Sequence, residues 1–240
     1  MEEKIFKDKL KENADTIGVL LDETMLEQFY DYKNLVIDWN EKINLTAIID
    51  DLEFIVKHFI DSLTINKYIE KDKTIIDIGT GAGFPGIPLK ILNKDNKVVL
   101  FDSLNKRLKV LEDIIEKINL TNVQTLHGRA EETFKNKEYR EKYDIGVSRA
   151  VASLNVLVEL MLPAVKVGGK CICMKGNNAE NEIEEAKKPI KELGGKIYKV
   201  EKIVLPELNL ERNIVIIKKI KQTPKQYPRK PGTPQKLPIR

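Results

Sequence analysis

Residues 74–107 have the sequence TIIDIGTGAGFPGIPLKILNKDNKVVLFDSLNKR, and this stretch decides the fold. Its first five residues, 74–78, are mostly β-branched and apolar, which predicts a strand covered on both faces. Gly79, Gly81 and Gly83 follow, and glycines allow a tight turn and a close approach of the backbone to a ligand. A helix that begins after such a turn presents free backbone N–H groups to that ligand.

The second half of the same stretch predicts another strand that ends in a carboxylate. Residues 98–101 are apolar, and Asp102 lies at their carboxyl end. Ligands of an open α/β sheet bind outside the carboxyl ends of its strands. A carboxylate at that position is placed to accept hydrogen bonds from both hydroxyls of a ribose. The sequence therefore predicts a site for a nucleoside cofactor.

Strands and helices alternate from residue 74 onward, which predicts an α/β fold with a doubly wound parallel sheet. The predicted strands are residues 74–78, 97–101, 122–126, 143–148, 170–174, 196–204 and 212–219. A loop joins the last two, so we expect one of them to run antiparallel, as part of a hairpin. A Rossmann-like seven-stranded sheet with a terminal hairpin is the architecture of class I S-adenosylmethionine-dependent methyltransferases, and this fold class is the prediction.

The chain divides into three predicted segments. Residues 1–70 carry amphipathic helical patterns and are predicted to form a helical N-terminal extension, and residues 71–220 are predicted to form the methyltransferase domain. Residues 221–240 form a basic tail with six Lys or Arg, no acid and five of the ten prolines. Because the net charge of the chain is +4, the whole positive excess lies in this tail. We expect the tail to be extended, and either solvated or bound to a polyanion.

Composition limits the cellular context and the partners. The 240 residues are enough for one α/β domain with an extension, and the sequence has no apolar run of membrane-spanning length. The acidic start, MEEK, is unlike a signal peptide. Two cysteines two residues apart cannot form a disulfide framework. We therefore expect a cytoplasmic protein without a membrane partner, and a monomer.

The glycine loop also fits a dinucleotide-binding protein. Residues 81–86, GAGFPG, satisfy the pattern G-x-G-x-x-G, and Asp102 follows at about the expected 20 residues. In that pattern the glycines approach a pyrophosphate and the acid binds a ribose. A NAD-type Rossmann dehydrogenase is therefore the alternative prediction.

Three features favour the methyltransferase over the dehydrogenase. The first strand ends at Ile78, so the loop has the register Asp77-x-Gly79-x-Gly81-x-Gly83, which resembles methyltransferase motif I. The fourth predicted strand leads into residues 148–151, SRAV, and not into a second dinucleotide-binding half. Too little chain remains for a substrate domain that carries a hydride-transfer acid.

Methyl transfer from an activated donor requires few catalytic groups. It is an in-line displacement at an activated carbon, for which an enzyme supplies proximity and alignment. Cys171 and Cys173 lie in a predicted strand, so we expect buried structural thiols and not a nucleophile. Too few other ligands accompany them for a metal site, and no metal is expected. A ring nitrogen with a free lone pair, such as guanine N7, needs neither a base nor a nucleophile, so no catalytic residue of either kind is expected.

Several motifs together resemble the bacterial 16S ribosomal RNA guanine-N7 methyltransferase G family (RsmG, formerly glucose-inhibited division protein B). The most specific strings are IGTGAGFPG at residues 78–86 and HFIDSL at residues 58–63. The similarity continues through Asp102-Ser103, Arg129-Ala130-Glu131, Ser148-Arg149-Ala150, Lys175-Gly176 and Tyr227-Pro228-Arg229-Lys230. The resemblance implies S-adenosylmethionine as the methyl donor. It also implies that the acceptor is a guanine in the decoding-region hairpin loop of 16S rRNA, and that the partner is this RNA or the small ribosomal subunit.

Motif I, the second strand and the resemblance together predict the cofactor-binding residues. These are Asp77, Gly79, Gly81, Gly83, Phe84, Asp102, Ser103, Ala130, Glu131 and Arg149. Two of them have a second interpretation. Glu131 also suits the N-terminus of a helix, where a carboxylate is favoured by the dipole. Arg149 either orients the carboxylate of the cofactor or contacts the acceptor.

A second set of residues is predicted to contact RNA: His58, Lys106, Arg107, Lys175, Arg229 and Lys230. Lys106 and Arg107 lie in the first turn of a predicted helix, where cations oppose the helix dipole. Helix stability therefore does not explain them, whereas phosphate binding or a solvated face does. His58 shares a helical face with Asp61, and this pair either ties the extension to the sheet or has a role in the active site.

Overall fold

The N-terminal extension is helical, as expected, in the computed structural model, which describes residues 1–177 and 179–239. Its helices are α1 (Glu3–Thr16), α2 (Glu23–Asn40), α3 (Asp51–Phe54) and α4 (Asp61–Leu63). The carboxylates of Asp22 and Asp50 cap α2 and α3 by accepting backbone N–H groups three residues on. A π-helical turn, Ile55–Ile60, joins α3 to α4. The described helices include none that is both long and apolar enough to cross a membrane.

The predicted seven-stranded sheet is confirmed. Its strands are β1 (Thr74–Ile78), β2 (Lys97–Asp102), β3 (Val123–His127), β4 (Tyr143–Arg149), β5 (Val165–Lys175), β6 (Gly195–Leu205) and β7 (Leu210–Lys219). Their order is β3-β2-β1-β4-β5-β7-β6. The pairs among β1 to β5 are parallel, and β7 runs antiparallel to both β5 and β6. The crossover from one half of the sheet to the other places the carboxyl ends of β1, β2 and β4 side by side.

The remaining helices cover the two faces of the sheet. They are α5 (Gly86–Leu92), α6 (Asn105–Lys117), α7 (Ala130–Thr133), α8 (Leu154–Met161), α9 (Glu180–Glu192) and α10 (Thr233–Lys236). One apolar cluster joins the N-terminal extension to α5, α6 and one face of the sheet, and it includes Phe29, Phe59 and Ile87. A second cluster lies under α8 and α9. The extension therefore shares a core with the sheet that it adjoins.

The described part of the C-terminal tail is packed against the domain, so the expectation of a solvated arm is wrong, whereas binding of a polyanion by its exposed lysines stays a prediction. Thr223, Tyr227 and Ile239 are buried. The guanidinium of Arg140 donates hydrogen bonds to the carbonyl oxygens of Thr223 (2.7 Å), Pro224 (3.2 Å) and Tyr227 (2.7 Å). A proline-rich segment has few N–H donors and many carbonyl acceptors, which suits it to accept several hydrogen bonds from one guanidinium.

Candidate active site

A cavity of about 320 Å³ lies at the carboxyl ends of β1 to β4. This volume is at the lower end of the range for small-molecule sites. Half of the residues predicted to bind the cofactor line it, namely Gly79, Asp102, Ser103, Ala130 and Glu131. Arg107, which the sequence placed with RNA, lines it too. We call this space the cofactor cavity.

Gly79 takes a conformation that other residues rarely adopt, with φ +72°. A Cβ atom at this position would overlap the side chain of Val151, which lines the same cavity. The backbone of β1 therefore turns into the cavity only because residue 79 has no side chain. The first turn of the loop is also tied to the sheet, since the N–H groups of Gly79 and Thr80 both donate to the carbonyl oxygen of Phe101.

The carboxylate of Asp102 is held in place by the backbone of two loops. One oxygen accepts from the N–H of Gly81 (3.0 Å) and the other from the N–H of Leu104 (2.9 Å). The guanidinium of Arg107 lies 3.8 Å from the first oxygen. Gly81 is thus placed behind the carboxylate and does not line the cavity. Each oxygen keeps a lone pair for a ribose hydroxyl, because a carboxylate has about four acceptor positions.

Asp77 lies beneath the glycine loop and not in the cavity. One oxygen of its buried carboxylate accepts from the hydroxyl of Thr80 (2.7 Å) and from the N–H of Gly86 (2.8 Å). Burial raises the pKa of Asp77 to about 7, although both hydrogen bonds oppose this shift. Asp77 therefore braces the loop against the start of α5. Gly83 is placed on the same side, where a Cβ would lie 2.6 Å from the hydroxyl of Tyr32.

Phe84 also lies outside the cofactor cavity, and its contact with the cofactor stays a prediction. Its ring is buried and stacks on the imidazole of His58, with centroids 4.3 Å apart and planes 4° apart. The guanidinium carbon of Arg149 lies 5.1 Å from the ring centroid, in cation–π range. Long-range packing of the extension against the loop decides this position, and no local pattern in the sequence reports it.

A second cavity of about 510 Å³ adjoins the first. Its lining includes Lys57, His58, Asp61, Arg149, Lys175 and Arg212. Ala150 lines both cavities and has φ +55°, a left-handed conformation that costs a residue with a side chain about 1 kcal/mol or more. Backbone strain of this kind is concentrated at functional sites. We call the second space the acceptor cavity, and Ala150 is its boundary with the cofactor cavity.

Arg149 is the centre of a polar network at the base of the acceptor cavity. Its guanidinium donates to the carbonyl oxygen of Lys57 (2.6 Å), to Asp61 (3.2 Å) and to Nδ1 of His58 (3.0 Å). Arg212 donates to the same oxygen of Asp61 (3.4 Å). These contacts join β4 and β7 to the π-helical turn, so His58 and Asp61 do tie the extension to the sheet. Arg212 is not among the residues predicted from the sequence, where its only signal is a cation at the start of an apolar strand.

His58 is a neutral imidazole in this network. Arg149 only donates hydrogen bonds, so Nδ1 of His58 accepts and Nε2 carries the proton. Nε2 then donates to the hydroxyl of Thr46, 2.8 Å away. Burial lowers the pKa of His58 to about 3, and the charges of Arg149 and Lys57 contribute in the same direction. His58 is therefore uncharged at every pH at which the protein is expected to act.

The buried neutral state of His58 predicts a pH dependence of stability. The unfolded chain binds a proton below about pH 6.5, whereas the folded chain does not until about pH 3, so stability falls as the pH falls below 6.5. Between pH 7.5 and 5.5 this group contributes a loss of about 1.4 kcal/mol. Urea unfolding of the wild type and of His58→Asn at both pH values measures it. Equal losses in the two proteins would contradict the assignment of a neutral histidine.

Two residues predicted to contact RNA form ion pairs within the chain. The ammonium group of Lys175 bonds the carbonyl oxygen of Ala152 and the carboxylate of Glu182, both at 2.7 Å. The guanidinium of Arg229 pairs with the fully buried carboxylate of Glu159 at 2.6 Å. Lys175 lines the acceptor cavity, whereas Arg229 is held by a buried carboxylate, and contact of either residue with RNA stays a prediction. Lys106 and Lys230 are exposed, and their contact with RNA stays a prediction.

The two cysteines are buried, as expected. Both lie on β5, neither lines the two cavities described above, and burial raises the pKa of Cys171 to about 12. Burial also holds the pKa of Cys173 well above its usual value. A thiolate is the nucleophilic form of cysteine, so these side chains are poor nucleophiles.

The sequence is similar to a family of known methyltransferases. Residues 25–215 match the family model described as rRNA small subunit methyltransferase G. The chain is 53% identical to the ribosomal RNA small subunit methyltransferase G of Clostridium novyi, over 99% of this chain and 98% of that protein. This degree of similarity excludes the dehydrogenase alternative.

Solved structures show the same fold at low sequence identity. An S-adenosylmethionine-dependent O-methyltransferase from Thermotoga maritima matches with a TM-score of 0.52 and 17% identity, covering 79% of this chain and 72% of that one. A protein from M. jannaschii, solved in complex with AdoMet, matches with a TM-score of 0.54 and 16% identity, covering 68% and 76%. The fold is thus that of class I S-adenosylmethionine-dependent methyltransferases. Together with the match of sequence, these features show that the chain belongs to the rRNA small subunit methyltransferase G family.

Proposed function

We propose that this enzyme transfers a methyl group from S-adenosylmethionine to N7 of a guanine in the decoding-region hairpin loop of 16S rRNA. We further propose that it acts in the cytoplasm, as a monomer, on this RNA or on the small subunit that contains it. The observation that carries the proposal is the meeting of two cavities at Ala150. One has the groups that suit a nucleoside, and the other has a cationic lining.

The cofactor cavity supplies the contacts that a nucleoside needs. Asp102 presents a fixed carboxylate to the two ribose hydroxyls, and Glu131 presents another on the far side of the cavity. Gly79 lets the ligand approach the backbone closely. When bound, S-adenosylmethionine supplies a methyl group that is already activated by a sulfonium centre. The residues around it are then required to align the acceptor with that methyl group, which is a contribution of proximity and orientation.

The acceptor cavity is suited to RNA by its charge. Among the described residues that line it, Lys57, Arg149, Lys175 and Arg212 outnumber the carboxylates Asp61 and Glu182. A local excess of positive charge attracts a phosphate backbone. Arg149 faces this cavity and not the cofactor cavity, which favours its role as a contact to the acceptor.

Methylation at guanine N7 does not require a general base. Guanine N7 has a free lone pair and gains positive charge as the methyl group is transferred, so no proton has to leave before the transfer. His58 has both ring nitrogens engaged and is not required as a base. Because N7 of an A-form helix lies in a deep, narrow groove, the guanine has to come from an accessible loop.

Labelled methyl transfer tests this proposal directly. We expect the purified enzyme to label 16S rRNA from S-adenosylmethionine at one guanine, and borohydride–aniline treatment to cleave the RNA at that position, because this treatment is specific for 7-methylguanine. Naked rRNA, an assembly intermediate and the complete subunit are the three substrates to compare. Calorimetric titration with NAD is the control and should show no binding. Label at any other atom or in another RNA class would refute the acceptor assignment.

A further inference from the structure

The C-terminal segment, residues 221–239, contacts Glu131, a residue that lines the cofactor cavity. The backbone N–H of Gly232 donates a hydrogen bond to one carboxylate oxygen of Glu131, at 3.0 Å. Glu131 lines the cavity and lies in the first turn of α7, after β3. Gly232 has φ +79° and is directly followed by α10, so its N–H direction is set by a left-handed turn. The residue that holds Glu131 is thus about 100 positions away in the sequence.

A buried ion pair fixes the segment just before this contact. Arg229 donates to Glu159 from its backbone N (2.8 Å), from Nε (2.9 Å) and from Nη2 (2.6 Å). Glu159 is fully buried on α8, and the next residue, Leu160, lines the cofactor cavity. Breaking such a pair would leave a buried charge unpaired, so this anchor is strongly held. Gly232 therefore presents its N–H from a rigid position.

We propose that the C-terminal segment is a positioning element of the cofactor cavity. Its Gly232 N–H holds one oxygen of Glu131, and the other oxygen is directed to accept a hydrogen bond from the exocyclic amine of the adenine ring. A glutamate side chain loses conformational entropy when it is fixed in one rotamer. Because Gly232 already fixes Glu131 before the cofactor binds, this entropy loss does not reduce the affinity for the cofactor. The proposal rests on the assignment of this cavity to S-adenosylmethionine. It makes selectivity for adenine depend on a segment beyond the part of the chain that the family model matches.

Two substitutions of Gly232 separate positioning from folding. A Cβ at this residue would meet no atom within 4 Å, so the first side-chain atom of either variant has room. Asparagine tolerates the left-handed conformation and keeps the N–H direction, whereas β-branched valine disfavours it and turns the N–H away. Gly232→Asn is thus the matched control for Gly232→Val. Gly232→Val is expected to unfold at a somewhat lower temperature than Gly232→Asn, so the positioning role is tested by ligand preference and not by stability.

The decisive measurement compares S-adenosylhomocysteine with S-inosylhomocysteine, which has a carbonyl in place of the exocyclic amine. We expect the wild type and Gly232→Asn to prefer the adenosyl ligand by roughly tenfold or more, because the wrong group leaves a buried acceptor unpaired. In Gly232→Val, and in a chain that ends at residue 231, this preference should fall at least threefold.

Equal preference in all four proteins, or a lower melting temperature with unchanged preference, would overturn the positioning role. If the wild type binds neither ligand, the cofactor assignment itself fails, and the positioning role fails with it.

Discussion

Replacement of Arg149 by methionine is expected to destabilise the fold and to reduce methyl transfer to small-subunit rRNA by about a hundredfold or more. The side chain of Asp61 is only 4% exposed, and Arg149 supplies one of the two cations at its carboxylate. Removal of one partner from a buried pair costs roughly 3–5 kcal/mol. Because Arg212 remains at 3.4 Å, we expect a loss of about 2–3 kcal/mol by urea unfolding.

The double variant Arg149→Met/Asp61→Asn separates the two effects of this substitution. It removes the carboxylate that the single variant leaves underpaired, so its stability should return to within about 1 kcal/mol of the wild type. Methyl transfer should stay low, because the cation that faces the acceptor cavity is still missing. Full recovery of activity in the double variant would show that Arg149 acts only through the fold.

Replacement of Gly79 by alanine is expected to weaken S-adenosylmethionine binding at least tenfold, measured by calorimetric titration. The new Cβ would overlap the side chain of Val151, and both residues line the cofactor cavity. Either the loop or Val151 has to move, and each movement changes the walls of the cavity. Residue 79 has a positive φ, so an alanine there also carries a backbone strain of about 1–2 kcal/mol, which destabilises the fold.

Gly81→Ala is the matched control for this substitution. Residue 81 also has a positive φ, +60°, but a Cβ there would meet no atom within 4 Å. The two alanines therefore impose a similar backbone strain, and only the one at residue 79 creates an overlap. We expect similar losses of stability, with a much smaller change in affinity for Gly81→Ala. Equal losses of affinity would show that backbone strain, and not the overlap with Val151, governs binding.

The strands, the glycine loop and the cofactor cavity follow from local patterns. Runs of β-branched and apolar residues predict β1 and β2, and a carboxylate at a strand end is placed by the topology of the sheet. Asp102 therefore lies where the sequence predicts it. The seven strands and the terminal hairpin also follow from the sequence, because alternating strands and helices predict a doubly wound sheet.

The start of β5 is an example of a feature that local sequence patterns did not predict. The strand begins at Val165, five residues before the predicted start. Its pairing with β4 shifts between Tyr143 and Ile145, which accommodates Gly168 and Gly169 within the strand. Glycines in a sequence predict a turn, whereas here an irregularity in the register absorbs them.

The sequence by itself determined the fold class, the family and the edge of the sheet where the cofactor site lies, because these depend on contiguous residues and on rules of topology. Only the tertiary structure decided which way Arg149 points, what Phe84 stacks on and where residues 221–239 lie. Arg149 meets a carboxylate 88 positions away, and Gly232 meets one 101 positions away. Contacts of this kind leave no periodic signal in the chain, since they arise when separate elements pack and each buried charge or carbonyl has to find a partner.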